Sequence, residues 1–124
     1  MAKTFLIIAA FNGLLAVAIG AFGAHALKTR LAPDLLAIYH TAVQYHFYHL
    51  LALSLVGLLL LQWPSSRYLQ FSGWLFIAGI CLFAGSLYIL ALTGLRWLGA
   101  ITPLGGLAFI AAWLSMAMGL YHSL

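Results

Sequence analysis

The chain alternates between long apolar runs and short polar breaks. Uncharged runs extend over Thr4–Leu27, Thr41–Leu61, Leu69–Thr93 and Trp97–Tyr121. The breaks are Lys28–Asp34, Trp63-Pro64-Ser65-Ser66-Arg67-Tyr68 and Gly94-Leu95-Arg96-Trp97. The first run has about 24 residues, which as a helix rising about 1.5 Å per residue crosses roughly 30 Å of hydrocarbon. The pattern predicts four membrane helices near 4–26, 34–62, 69–93 and 97–121. The predicted fold is all-α: one integral membrane four-helix bundle over residues 1–124, up-down-up-down, with both termini on the same side.

The breaks refine this picture. Pro33 suits the first turn of the second helix, and Asp34 there complements the helix dipole. That helix is too long to lie wholly in hydrocarbon, so its turns through about His40 are expected in the interface. Trp63 and Tyr68 read as interfacial aromatics. The third break is so short that the last two helices must be antiparallel neighbours. Lys3 and Ala24-His25-Ala26 imitate a secretory leader with its cleavage site. The first run is nevertheless expected to be a retained span, because it is longer than a leader's apolar core and the rest of the chain is equally apolar.

Within the runs, small residues recur at helical spacing. The first helix carries Ala9, Gly13, Ala16, Gly20 and Gly23 on one face, with Asn12 beside it and expected to hydrogen-bond a neighbouring helix. Ser72, Gly79, Ser86 and Thr93 repeat every seven residues in the third. Gly105, Ala108, Ala112, Ser115, Gly119 and His122 share a face of the fourth. Small faces let helix backbones approach closely in lipid, so Gly13, Gly20, Gly23, Gly79, Gly85, Gly105 and Gly106 are candidate packing positions. In the second helix, Ala42, His46, Leu53 and Gly57 fall within about 60° of Tyr39 and His49 about 80° away, whereas His40, Gln44 and Tyr48 point elsewhere.

Composition narrows the class. Of 124 residues, 66% are hydrophobic and 5% charged, with five Lys and Arg against the single acid Asp34. One acid and five bases cannot cover a water-exposed surface, since soluble domains carry roughly 25% charged residues. The bases are too few and scattered for a nucleic-acid footprint; they read as topology determinants and lipid-headgroup contacts. Lys3 and Arg67 on one side nearly balance Lys28, Arg30 and Arg96 on the other, so charge selects no orientation. The lone Cys81 has no intrachain partner and reads as a packing residue.

The polar residues are distributed unevenly between the two ends. The end away from the termini holds His25, Lys28, Arg30, Asp34, His40 and Arg96. One or two turns deeper lie Gln44, Tyr45, His46 and His49, with Ser86, Tyr88 and Thr93 from the third helix and Thr102 from the fourth. Polar side chains at that depth normally face a bundle interior, a cavity or a partner. The expectation is one connected polar cluster lining a vestibule, built from His25, Gln44, Tyr45, His49, Ser86, Tyr88, Arg96 and Thr102.

Four motifs reinforce the architecture. GAFGAHAL (Gly20–Leu27), TAVQYHFYHLLAL (Thr41–Leu53), GSLYILALTG (Gly85–Gly94) and ITPLGG (Ile101–Gly106) together resemble the YgdD-like family of small bacterial membrane proteins, related to an uncharacterised eukaryotic transmembrane protein. The resemblance implies a four-helix protein of a bacterial plasma (inner) membrane and supplies no activity. Its motif positions fall on His25, Gln44, Tyr45, His49, Ser86, Tyr88, Thr102 and Pro103. His46 departs from the family pattern, which typically shows glutamine there, and is therefore left out of the candidate set.

No reaction is legible. His46 and His49 could share a metal, but one carboxylate and no second histidine pair leave the shell incomplete. The His25–His49 pair could ligate a haem, and Ser86 would need an orienting acid for hydrolysis that Asp34, in a loop, does not supply. The expectation is no metal, no cofactor, no nucleic acid and no enzymatic activity. The leading reading is a structural or accessory subunit, a homo-oligomer or one packed against another membrane protein, with membrane lipid around it. The alternatives are a binder of lipid, quinone or another amphiphile in the vestibule, and an oligomeric transporter or channel.

Overall fold

The structure, a computed structural model, describes residues 1–124. It contains four helical spans and no strand: α1, Ala2–Leu27; α2, Pro33–Gln62; α3, Arg67–Thr93; and α4, Thr102–Ser123, which follows a short 3-10 turn at Arg96–Ala100. All four are long and apolar enough to cross a membrane. The protein is an all-α four-helix membrane bundle.

Local chemistry sets the boundaries. Ala32 is extended, as the residue before a proline must be, and α2 begins at Pro33. The Ser66 hydroxyl accepts from the Leu69 amide at 3.4 Å and caps α3. Gly94 ends α3 in the left-handed region, φ 73°, and its amide bonds back to the Leu90 carbonyl. Pro103 explains the one boundary that differs from expectation by more than two residues. The fourth helix does not start at 97, because proline lacks an amide and belongs in a helix's first turn. The chain therefore turns once as a 3-10 helix, and α4 begins at Thr102 with Pro103 next.

α2 and α3 form the centre of the bundle. In their apolar stretches 44% and 39% of residues are buried, against 17% and 22% in α1 and α4, which flank them. The core is dense at the end where the chain begins: Phe5, Leu53, Val56, Leu60, Leu69 and Phe76 are fully enclosed. Leu6 lies over Gly57 and Tyr68 stacks on His122 at 5.1 Å, so both ends of the chain lie at the α2–α3 turn. Successive helices are antiparallel.

The helices meet through glycine contacts. Gly23 faces the Tyr39 ring, Gly79 the Phe109 ring, and Gly105 the backbone at Leu82–Phe83. That backbone belongs to a π-helical turn, Ile80–Ala84; a second π turn, Gly23–Leu27, ends α1. Gly20 makes ordinary contact with Val43. Gly13, Gly85 and Gly106 do not act as packing positions, because added carbon there would meet nothing nearer than 3.9 Å. Gly73 beneath Phe5, Gly57 beneath Leu6 and Gly119 against Leu69 take that role instead. In the seven-residue series Ser72, Gly79 and Ser86 are buried, whereas Thr93 is exposed.

Candidate functional site

The expected single polar cluster is three separate groups. The reason lies in α2, whose pitch sends His46 and His49 toward different neighbours and Gln44 and Tyr48 outward.

The first group joins α1, α2 and α3. His46 is buried and uses both ring nitrogens: Nε2 lies 2.8 Å from Asn12 Oδ1 and Nδ1 lies 2.9 Å from the Tyr88 hydroxyl. Asn12 donates its amide to the Ile8 carbonyl at 2.9 Å, which leaves Oδ1 as the acceptor. His46 Nε2 therefore carries a proton, and in the neutral imidazole Tyr88 donates to Nδ1. Tyr39 packs edge-on against Tyr88 with ring centroids 5.6 Å apart, and its hydroxyl donates to the Ile19 carbonyl at 2.5 Å.

The second group joins α2 and α4. His49 Nδ1 lies 2.7 Å from the Tyr45 carbonyl one turn back, and Trp113 Nε1 donates to His49 Nε2 at 3.2 Å. An indole only donates and a carbonyl only accepts, so His49 is neutral with its proton on Nδ1. Its ring lies flat on Phe109, centroids 3.5 Å apart and planes 7° apart.

The third group joins α3 and α4. The Ser86 and Thr102 hydroxyls lie 2.6 Å apart, and the Phe83 carbonyl accepts from Ser86 at 3.0 Å.

The other expected members lend these groups no side-chain hydrogen bond, although Tyr45 lies beside His49, with ring centroids 6.0 Å apart. Gln44 donates to the Tyr48 hydroxyl at 2.6 Å on the outward face of α2. Tyr45 stacks on Phe83 at 4.6 Å. His25 is exposed on the closing π turn of α1 and makes no side-chain hydrogen bond with the groups above. Arg96 reaches across to Asp34, Nη2 to Oδ2 2.6 Å, with both side chains more than half exposed.

Sequence reasoning left His46 out of the site; for Asn12 it expected a bond to a neighbouring helix, which Asn12 makes to His46, but it did not place that bond in the cluster. An amide in the middle of an apolar helix and a histidine on the Tyr39 face were the available signals. It missed Trp113 as well, because a tryptophan in an apolar run carries no sign that its indole N–H is engaged.

These polar groups bond one helix to another. No buried side-chain nitrogen or oxygen lacks a partner. All four ring nitrogens of His46 and His49 are engaged, so neither offers a lone pair to a metal or haem without breaking a hydrogen bond. No three histidine, cysteine or acidic side chains converge at ligating distance. The expected vestibule is filled by its own lining: the grooves of the molecule lie at the opposite end, around the α2–α3 turn, and Arg67 lines all of them.

Comparison with known proteins agrees with the architecture. Residues 19–106 match a family described as "Protein of unknown function (DUF423)". The chain is 49% identical over 116 residues to the UPF0382 membrane protein YwdK of Bacillus subtilis (strain 168), covering 94% of each chain. It is 44% identical over 119 residues to the UPF0382 membrane protein SSP2132 of Staphylococcus saprophyticus, covering 96% of this chain and 98% of the relative. It is 43% identical over 119 residues to the UPF0382 membrane protein SH2409 of Staphylococcus haemolyticus, covering 96% of both. No solved structure matches.

Proposed function

The chain belongs to the DUF423 family of proteins of unknown function, and from that premise we propose that it is a structural or accessory subunit, packing laterally against itself or another membrane protein. The reading includes a place in the plasma (inner) membrane of a bacterium as a multi-pass protein. It also includes kinship with the YgdD-like proteins and their eukaryotic relative, supported by the four sequence motifs.

One observation carries the reading. The polar groups between the helices are consumed in holding the helices to one another. What remains for other molecules is the outside, chiefly the flanks of α1 and α4, where large apolar side chains such as Phe11, Leu14, Leu107 and Ile110 are more than half exposed. An interior of packed side chains suits a subunit better than a carrier, which needs a path or a cavity.

Extraction in mild detergent tests this. The expected result is a species larger than one copy by light scattering, or a membrane protein recovered in fixed ratio with it. A single copy without a partner in every detergent and in lipid nanodiscs would overturn the reading.

A further inference from the structure

We propose that the α2–α3 end of the bundle holds an anionic phospholipid, with its phosphate on Arg67 and its two acyl chains on either side of Phe71. The proposal rests on the groove geometry and the charge distribution, and stands apart from the subunit reading above.

Two grooves descend from Arg67 along α3. One passes Ser65 and Trp74; the other passes Tyr68 and Ser115. Phe71 lines both and is 67% exposed, so it forms the ridge between them. Positions 67, 71 and 74 follow i, i+4, i+7 and share one helix face, which runs from the interface into the hydrocarbon. The shape is one cation heading two grooves: the one past Tyr68 is chiefly apolar, and the other is polar at Ser65 and Gln70 and apolar at Phe71 and Trp74. A diacyl lipid has the complementary shape, one phosphate heading two chains.

Charge selects the headgroup. The only acid, Asp34, is bound to Arg96 at the far end of the bundle. Arg67 has no side-chain counter-ion in this protein. The Ser65 hydroxyl makes no hydrogen bond within the chain and stands beside it as a further donor. Guanidinium suits phosphate because its planar fork can donate two hydrogen bonds at once. Trp63 and Tyr68, at the same level, are residues that settle among headgroups.

The test uses the full chain in mild detergent, with dioleoyl-phosphatidylglycerol and dioleoyl-phosphatidylcholine as probes, so that the acyl chains are constant. A basic residue at the membrane surface gives a preference of roughly fivefold for the anionic lipid, read as lipid retained in native mass spectrometry. That preference is expected to vanish in Arg67→Gln and to persist in Arg96→Gln. A preference unchanged in Arg67→Gln overturns the proposal. So does equal competition by inorganic phosphate, which would make the site a simple anion site without acyl channels. A benzophenone side chain introduced at Phe71, with Arg67 intact, gives an answer that does not depend on the arginine variant folding. Capture of phosphatidylglycerol supports the site; capture of a second copy, or of no lipid, overturns it.

Discussion

Position 46 needs one hydrogen-bond donor and one acceptor, about the width of an imidazole apart. His46 supplies both, donating to Asn12 and accepting from Tyr88. A glutamine supplies both as well, from its NH2 and its carbonyl. The glutamine that the sequence resemblance leads one to expect at this position would therefore require no change of role. This equivalence also shows why sequence reading set His46 aside: residue identity was compared, whereas the site requires a donor–acceptor pair. Hydrogen bonds between membrane helices average about 0.6 kcal/mol and reach about 1.7. His46→Leu breaks two, so a loss of about 1–3 kcal/mol is expected, while His46→Gln should leave the detergent melting temperature nearly unchanged. Tyr88→Phe removes only the donor to Nδ1 and should fall between them. Equal melting of the leucine and glutamine variants would show that the network does not hold the helices. The same logic applies to Trp113→Phe, which frees His49 Nε2 but leaves the stacking of His49 on Phe109 intact. Its expected cost is about 1 kcal/mol or less.

Helical spacing identified the right faces but not the depth of each contact. Ser72, Gly79 and Ser86 were read as one seam of α3, and they do meet α4, through the Ala112 carbonyl, Phe109 and Thr102. Which glycines are tight was not legible. A glycine is irreplaceable only where a neighbour fills the space its Cβ would take, and that neighbour lies on another element, far away in sequence. Phe5 over Gly73 and Phe109 over Gly79 are such cases; Gly13 and Gly106 share similar spacing yet face nothing close. The π turn at Ile80–Ala84 brings backbone, rather than a movable side chain, against Gly105. Gly105→Ala should therefore be the costliest single-methyl addition. Gly79→Ala should come next, because the Phe109 ring it displaces also stacks on His49. Overpacking costs of about 1–3 kcal/mol are expected for both, and nearly none for Gly106→Ala. Thermal melting in detergent ranks them, and a Gly106→Ala loss equal to that of Gly105→Ala would refute the assignment.

At the scale of the whole molecule, the four spans were legible because lipid imposes one rule: every backbone polar group must be satisfied within a helix. The vestibule was not, because counting polar residues at one end cannot tell whether they face a space or one another. Satisfied pairs close the space that unsatisfied groups would have kept open. The same view fixes an expectation about sidedness. Leu6 packs on Gly57 and His122 on Tyr68, so the chain's two ends and the α2–α3 turn form one end of the bundle, while the Arg96–Asp34 pair ties the other. That pair is exposed, so it is worth about 0–1 kcal/mol, and Asp34→Asn should leave the helices in place. Single cysteines at Lys3, Ser65 and Ser123, in a Cys81→Ala background, are expected to react with a membrane-impermeant maleimide from the same face of sealed vesicles. A cysteine at Thr29 should react only from the opposite face. Burial of Phe5 and Leu69 at the shared end makes this arrangement hard to invert, since reversing α1 alone would strip Phe5 from Gly73 and Leu6 from Gly57 together. Labelling of Lys3 and Ser123 from opposite faces would therefore overturn the packing of α1 or α4 as well as the sidedness.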